Sequence, residues 1–419
     1  MRVSVVDPAA YTPPYDRALC AALAQAGADV ELVTAPFPHG EVPPARGYTV
    51  REDFYRFAPK GRGRRWARLA QHIPDMLRAS RRETDVVHFQ WLAVQPLDQH
   101  LLRAYSQPRV ITAHDVLPRE PKPGQIDAQR QLYERMDAIV VHTEHGRARL
   151  VDELGLPAGR VHVIPHGILR PAGDAPLPPE LPDSDGTVVL CFGLMRAYKG
   201  IDVLVEAWRE IEHAELWIVG APRMDVAPLR AAAPPGVRFV ERFVSEGEAA
   251  ALFRRADLAV LPYREIEQSG VLFTALGFGV PLVLTDVGGF PEVAAAGAAE
   301  LVAPGDAAAL HEALTGLLAE PSRLAMLAMA ALRLADEVHG WDATAVIAAA
   351  THRGRGGPAR SRPSRAPRRR AAARPWRASP AAMGRRAAPS APRGAPRRRR
   401  ARRARPRRPP PRRGSRPRR

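Results

Sequence analysis

The chain has 419 residues and a formal net charge of +18 at pH 7, a length that allows two or three domains. Residues 352–419 hold 27 arginines and no lysine, aspartate or glutamate. Residues 1–351 therefore keep 35 basic residues against all 44 acidic ones, a net charge near −9. The basic charge belongs to the C-terminal tail, so nucleic-acid binding is not predicted for the rest of the chain.

Cysteine usage and the N-terminus indicate a cytoplasmic protein. The two cysteines, Cys20 and Cys191, lie in apolar contexts in different halves of the chain, as expected of reduced core thiols. The first residues resemble a strand and not a charged and apolar leader. No apolar run reaches the ~18 residues of a spanning helix. We expect a cytoplasmic protein that is at most peripheral at the inner membrane face.

The N-terminal residues predict a doubly wound α/β domain. An apolar strand at 3–6 precedes a Pro-rich loop at 7–16, an Ala- and Leu-rich helix at 17–26 and a strand at 30–33, which is the order of such folds. The loop lacks G-x-G-x-x-G, so it does not predict a nicotinamide site.

Residues 60–82 form a basic amphipathic stretch. Trp66, Leu69, Ile73 and Leu77 recur at helical spacing among many arginines, and Pro74 is expected to kink or split the helix. One interpretation is a surface helix whose apolar stripe packs on its own domain. The alternative is peripheral contact with an anionic membrane.

Three predicted strands of the first half end in histidine, at His88, His114 and His142. The carboxyl ends of parallel strands meet at one edge of a sheet, so these rings should lie near one another. No H-E-x-x-H and no histidine pair on one helix face is present, and a metal site is not predicted.

A glycine turn with two cations opens the second half. After a Pro-rich linker at 168–186, the strand 187–192 runs into a turn from Gly193 to Gly200 that contains Arg196 and Lys199. Arginine offers fixed paired donors and lysine a mobile charge, which together suit a diphosphate. A solvated basic loop is the alternative.

A second polar turn follows a later strand. The apolar run 258–262 leads through polar residues to Ser269 and Gly270, and an apolar helix then runs to Gly279. The free N–H groups and the dipole of a helix N-terminus favour an anion. Alternatively, Ser269 is only a cap.

The next residues carry a family pattern. Gly279-Val280-Pro281 precedes a strand, and Thr285-Asp286-Val287-Gly288-Gly289-Phe290-Pro291-Glu292 follows it. This is similar to the C-terminal motif region of retaining glycosyltransferases of family four of the group 1 transferases, over nearly all of 1–350. The resemblance implies two Rossmann-like α/β domains facing a cleft (GT-B). It also implies retaining, metal-independent transfer from a nucleotide-diphosphate sugar to a glycan, lipid or small-molecule acceptor, with no cofactor.

The same resemblance assigns candidate roles to individual residues. Arg196 and Lys199 would neutralise the diphosphate, Glu267 or Glu265 would face the sugar hydroxyls, and His114 would hold the donor sugar or orient the acceptor. The donor site would comprise Tyr15, Gly193, Glu265, Gln268, Ser269, Gly270, Val271 and Thr274; for Tyr15, ordinary packing is an equal alternative.

The chain departs from the family pattern of two glutamates eight residues apart at both positions. Ile266 falls at the first of these positions and Thr274 at the second, where the glutamate normally binds the ribose. A threonine offers one hydroxyl and not a carboxylate with two acceptors. Two alternatives therefore stay open: a catalytically weak scaffold or binding protein acting through its basic tail, and another enzyme on the same fold, such as an epimerase or phosphorylase.

The predicted domain plan has five parts. They are an acceptor domain at 1–167, a linker at 168–186, a nucleotide-sugar domain at 187–340, the start of a helix crossing back at 341–351, and a tail at 352–419. The tail has too few apolar residues to fold and is expected to be disordered. It is either a polycationic arm for nucleic acid or anionic surfaces, or the product of a shifted reading frame in GC-rich coding sequence.

Overall fold

The structure is a computed structural model that describes residues 1–342 except 38–41, 43, 58–63, 119–120, 122 and 183. The predictions for 343–351 and for the tail lie outside the described residues. The two α/β domains each contain one parallel sheet, as the sequence predicts.

The N-terminal domain holds a seven-stranded parallel sheet with strand order β3-β2-β1-β4-β5-β6-β7. Its strands are β1 (Arg2–Asp7), β2 (Asp29–Thr34), β3 (Thr49–Glu52), β4 (Val86–Phe89), β5 (Arg109–Thr112), β6 (Ala138–Val141) and β7 (Val161–Val163). Its helices are α1 (Pro13–Gln25), α2 (Arg64–Ala79), α3 (Gln95–Leu101), α4 (Gln125–Glu134) and α5 (Glu144–Ala148), which continues into a π-helical turn at Arg149–Glu153.

The C-terminal domain holds a six-stranded parallel sheet with strand order β10-β9-β8-β11-β12-β13. The strands are β8 (Thr187–Phe192), β9 (Ala214–Val219), β10 (Val237–Val240), β11 (Leu258–Leu261), β12 (Leu282–Thr285) and β13 (Ala299–Val302). The helices are α6 (Ile201–Ala207), α7 (Ala227–Ala232), α8 (Glu246–Arg255), α9 (Gly270–Phe278), α10 (Phe290–Ala295), α11 (Ala307–Ala319) and α12 (Pro321–Glu337).

Both sheets are buried on both faces. In β8, Val188 and Leu190 pack in one apolar cluster, whereas Val189 and Cys191 pack in the cluster on the opposite face. Successive side chains of a strand point to opposite faces, so a strand covered by helices on both sides must be apolar throughout. This is why the strands appear in the sequence as continuous apolar runs.

Strand order reverses between β1 and β4 in the first sheet and between β8 and β11 in the second. In open α/β sheets, ligands bind beyond the carboxyl ends of the strands at such a reversal. The turns after β8 and β11 are the two polar turns that the sequence singles out. Both therefore lie at the position where the fold favours a ligand.

One local prediction was wrong, and one of two alternatives for another was wrong. The loop predicted at 7–16 ends early, because α1 begins at Pro13; proline suits the first turn of a helix, where its missing N–H has no helical partner. Pro74 does not split its helix, since α2 runs unbroken from Arg64 to Ala79. None of the described helices is both long enough and apolar enough to cross a bilayer.

Candidate active site

The turn after β8 brings a buried cation to the switch point. Gly193 has φ of +107°, and a Cβ there would lie 2.7 Å from Lys199 Nζ and 3.2 Å from Val271 Cγ2. The glycine therefore leaves the space that the ammonium group occupies. Lys199 is buried, and its Nζ lies 4.9 Å from the centre of the Tyr263 ring. The structure thus brings Gly193, Lys199 and Val271 together at the start of α9.

Arg196, the second cation of this turn, is exposed. Its backbone is extended, with φ of −135° and ψ of 152°. Its side chain makes no hydrogen bond or ion pair with the residues that the structure describes. Gly200 follows at φ of +64°, and a Cβ there would overlap the carbonyl oxygen of Pro262. That close approach joins the turn after β8 to the turn after β11.

The N-terminus of α9 faces this turn. Ser269 is the N-cap residue, but its hydroxyl does not accept a hydrogen bond from the helix and lies 3.4 Å from the Tyr263 hydroxyl. Gly270 is exposed. Thr274 is buried and donates to the Gly270 carbonyl at 2.9 Å. A hydroxyl has two acceptor lone pairs, so Thr274 keeps acceptor capacity for a ligand.

Glu267 is held at the interface of the two domains. One carboxylate oxygen pairs with Arg149 of the N-terminal domain, and the other lies 3.6 Å from His145 Nε2. Burial raises the pKa of the Glu267 carboxyl, and the charges of Arg149 and His145 oppose that rise. Its Oε2 accepts no hydrogen bond from the described residues. That oxygen keeps unused acceptor capacity.

Two other predicted donor-site residues differ in exposure. Glu265 is exposed and makes no contact with the described residues through its carboxylate, while Gln268 is half-buried and its buried Oε1 has no partner among them. Of the two glutamates that flank Ile266, the structure places only Glu267 at the interface. Sequence reasoning missed its partner Arg149, which is 118 residues away in the chain and belongs to no recognisable motif.

The strand-end histidines have distinct environments. His114 is stacked on Trp91 with ring centres 5.0 Å apart, and its Nε2 donates to Gln90 Oε1 at 3.0 Å. His88 is buried within β4 and bonds Thr112 Oγ1 at 2.8 Å, a structural contact. His142 follows β6 and donates from Nδ1 to the Ile164 carbonyl at 2.9 Å. Burial lowers the pKa of His114 well below its usual range and that of His142 to about 4.

Tyr15 lies in α1 and is buried among aromatic rings, not in an open loop. Its ring centre is 4.8 Å from that of His114, 4.7 Å from that of His166 and 5.4 Å from that of Trp341. Within the described part of the chain, no three His, Cys, Asp or Glu residues are grouped so that they could hold a metal ion.

The two domains are also joined near the segment that connects them. His166 stacks on Phe273 of α9, with ring centres 4.3 Å apart. Trp341 donates from Nε1 to the Ile168 carbonyl at 2.7 Å, and Ile168 N donates to the His339 carbonyl at 2.9 Å. The C-terminal end of the described chain thus returns to the segment that connects the domains.

Two family models match the chain. The model "Glycosyl transferases group 1" covers residues 186–320, and the model "Glycosyltransferase Family 4" covers residues 17–168. A D-inositol 3-phosphate glycosyltransferase of Xylanimonas cellulosilytica is 30% identical over 61% of this chain and 66% of its own length. The chain thus spans just under two thirds of that relative.

Solved structures share the fold. Sucrose-phosphate synthase from Thermosynechococcus elongatus has a TM-score of 0.68 at 19% identity, covering 84% of this chain and 98% of that chain. HepE of Anabaena in complex with UDP-glucose has a TM-score of 0.64 at 16% identity, covering 84% and 99%. The two family models, which together match both domains, show that the chain belongs to the group 1, family 4 glycosyltransferases.

Proposed function

We propose that this chain is a retaining glycosyltransferase that moves a sugar from a nucleotide-diphosphate sugar to an acceptor without a metal ion. The observation that carries the proposal is the buried ammonium of Lys199 against Gly193 and the first turn of α9. A cation at the switch point of a parallel sheet suits a nucleotide diphosphate. HepE, which shares the fold, was solved with UDP-glucose.

The donor diphosphate would lie between the turn after β8 and the N-terminus of α9. Its oxygens would be bound by Lys199, by the exposed Arg196 and by the free N–H groups of α9. The site would be shaped by Gly193, Ser269, Gly270 and Val271. Charge on this group grows as the glycosidic bond breaks, so preformed positive groups act most strongly in the transition state. These groups supply the neutralisation that a metal ion provides in other enzymes. We therefore propose that activity persists in EDTA.

The sugar would lie between Glu267 and His114. The Oε2 of Glu267 has acceptor capacity for a sugar hydroxyl, while Arg149 holds the other oxygen. His114 is neutral because burial lowers its pKa, so it would orient a hydroxyl and not carry charge. Thr274 and Gln268 are the proposed contacts of the nucleoside, and the exposed Glu265 is the other proposed contact of the sugar hydroxyls.

A donor panel tests the proposal. Binding and hydrolysis of several nucleotide sugars are measured with the full chain, Lys199→Met and the control Arg209→Met, which removes an exposed cation. We expect one donor to bind and be turned over, with affinity reduced by roughly ten-fold or more in Lys199→Met, because hydrogen bonds to charged groups are worth about 1.5–3 kcal/mol. Equal behaviour of Lys199→Met and Arg209→Met would contradict the assignment.

The alternative is a scaffold or binding protein on the same fold. The observation that favours it is Thr274 in place of a carboxylate. Nucleotide-sugar binding without turnover in that panel would support it. In this alternative the protein would act through its basic tail, for example by contact with nucleic acid. The tail lies outside the described residues.

We also propose peripheral contact with an anionic membrane through 60–82, at the cytoplasmic face. Trp66 is 74% exposed, and Leu69 and Ile73 are exposed beside it. The opposite side of α2 is the buried one: His72 bonds Asp98 and the Tyr55 hydroxyl. Three of the four stripe residues are therefore exposed, while Leu77 is half-buried. Exposed arginines such as Arg65 would meet anionic lipid headgroups.

Vesicle co-sedimentation tests this contact. The full chain is expected to bind vesicles containing anionic lipid and to lose most of that binding in the double variant Trp66→Ser, Ile73→Ser. Met326→Ser, which changes an exposed apolar side chain of α12, is the control. Equal binding by the stripe variant and the control would contradict the proposal.

A further inference from the structure

Arg264, in the turn after β11, forms an ion pair with the first turn of α6. Its two terminal nitrogens donate to the two carboxylate oxygens of Asp202, at 2.8 and 2.6 Å. Paired bonds of this kind fix the direction of approach as well as the distance, because both groups are planar. The pair therefore ties the loop that enters α9 to the helix that directly follows the turn of Lys199.

The same arginine also holds the backbone of that turn. Its Nη1 donates to the Ala197 carbonyl at 3.0 Å, and its backbone N–H donates to the Tyr198 carbonyl at 2.7 Å. These two residues and Lys199 form one 3₁₀ turn. Arg264 is thus bonded to the chain immediately before Lys199 and, through α6, shortly after it. The backbone of Lys199 is fixed between these contacts.

The loop that carries Arg264 also carries groups that face the donor side of the site. The preceding residue is Tyr263, and the ammonium of Lys199 lies 4.9 Å from the centre of its ring. Glu267 follows three residues later in the same loop. A shift of this loop relative to the turn of Lys199 would therefore change the position of the ammonium relative to the carboxylate.

The contribution of Arg264 is geometric, because its charge is already balanced. The hydrogen bond from Arg264 lowers the pKa of Asp202, so the carboxyl is ionised at neutral pH and the pair has no net charge. The two side chains are 41% and 50% exposed, and ion pairs with that exposure add little to the free energy of unfolding. A fixed position matters more, since binding and catalytic groups lose effect steeply when they are displaced.

We propose that Arg264 is a positioning residue for the donor: it holds the turn of Lys199 against the loop that enters α9 and so sets the position of the ammonium that binds the diphosphate. The inference rests on the proposed function, which takes the diphosphate as the ligand of Lys199. The guanidinium of Arg264 is bonded to Asp202 and Ala197 and acts on the donor only through Lys199.

The test is a double-mutant cycle on the full chain, read by calorimetric titration with UDP, GDP and ADP. The variants are Arg264→Met, Lys199→Met and the two combined. Asp202→Asn weakens the same pair from its other side and keeps the side-chain shape. The control is Arg323→Met: Arg323, in α12, donates to both oxygens of Glu300 at 2.8 and 2.6 Å and is 39% exposed.

We expect Arg264→Met to weaken binding of the preferred diphosphate about ten-fold, whereas Arg323→Met should leave it unchanged. Asp202→Asn should weaken binding by less, and Arg264→Lys, which keeps the charge, should recover part of the loss. Melting temperatures of Arg264→Met and Arg323→Met should be similar. In the Lys199→Met background, Arg264→Met should cause no further loss, because a residue that acts through another is not additive with it.

A loss of affinity in Lys199→Met but not in Arg264→Met would overturn the inference alone. Equal losses in Arg264→Met and Arg323→Met, or additive losses in the combined variant, would also do so. If Arg264→Met does not fold, Asp202→Asn takes its place in the cycle under the same criteria. Binding of no diphosphate, or equally tight binding by Lys199→Met and the unaltered chain, would overturn the proposed diphosphate site and the inference with it.

Discussion

Arg149 shows how one side chain from the N-terminal domain adjusts a candidate catalytic group of the other. It pairs with Glu267, and its charge opposes the rise in carboxyl pKa that burial causes. Arg149→Met removes this positive charge, so the pKa of Glu267 should rise further. The acidic limb of the plot of kcat against pH should then move to higher pH. Arg147→Met, which removes a neighbouring cation paired with Glu144, should leave the profile unchanged. Identical profiles for the two variants would show that Arg149 has only a structural role.

Thr274 tests whether a hydroxyl replaces the family carboxylate. It is buried and already donates to Gly270, so its remaining capacity is that of an acceptor. Thr274→Ser should keep nucleotide affinity, and the isosteric Thr274→Val should weaken it roughly five-fold, the net value of one hydrogen bond. Calorimetric titration with nucleoside diphosphate measures both. Equal nucleotide affinities of the two variants would show that the Thr274 hydroxyl does not contact the nucleotide.

Sequence reasoning at this scale found residues that belong to motifs and missed those placed by tertiary packing. Gly193, Lys199 and Val271 were predicted as site residues, and the structure brings them together. Arg149 lies in the π-helical turn that continues α5 and carries no local signal. Its contact with Glu267 depends on where that turn docks, which a single sequence does not specify.

The turn at 286–289 positions the loop that bears Glu267. Gly288 has φ of +55°, and a Cβ there would overlap the Ile266 carbonyl oxygen; Gly289 N donates to the Glu267 carbonyl at 3.2 Å. Gly288→Ala should displace this loop and lower kcat by about ten-fold or more, because misplaced catalytic groups lose rate steeply. Gly297→Ala is the matched control, since it has a similar φ of +79° and its Cβ would meet nothing closer than 4.0 Å. Equal losses of kcat in both variants would attribute the effect to backbone strain alone.

Element types were predictable where the apolar pattern was continuous. Strands such as β11 and β12 are buried throughout and were recognisable as apolar runs. Helix α2 shows the limit: its spacing predicts a helix, but the side that packs is set by the bonds of His72 with Asp98 and Tyr55. Met76 and Ala79 pack in the core on the same side, and hydrophobic periodicity does not reveal the polar bonds beside them.

The stability of the whole protein should depend on pH through two buried histidines, His142 and His166. Burial lowers the pKa of His142 to about 4 and that of His166 well below its usual range. The unfolded chain takes up these protons near pH 6.5, whereas the folded chain does not. The free energy of unfolding should therefore fall as pH decreases from about 6.5 towards 4.

Urea unfolding between pH 7.5 and 4.5 measures this dependence. His142→Phe removes one of the titrating groups and should flatten the curve, while His213→Gln, at a highly exposed position, should retain it. A curve that is flat for the unaltered chain would contradict buried neutral histidines. The sequence predicted that the chain crosses back to the N-terminal domain from Trp341. It did not predict the stacking of His166 on Phe273, because no sequence pattern indicates that contact.

A proton NMR time course of the preferred nucleotide sugar with the full chain, an acceptor and EDTA tests retaining, metal-independent transfer most directly. We predict that the anomeric signal of the donor is replaced by a product signal of the same anomeric configuration, with nucleoside diphosphate released, and that Lys199→Met slows this conversion by roughly ten-fold or more. Inversion of configuration, dependence on a metal ion, or no turnover of any donor would contradict the account.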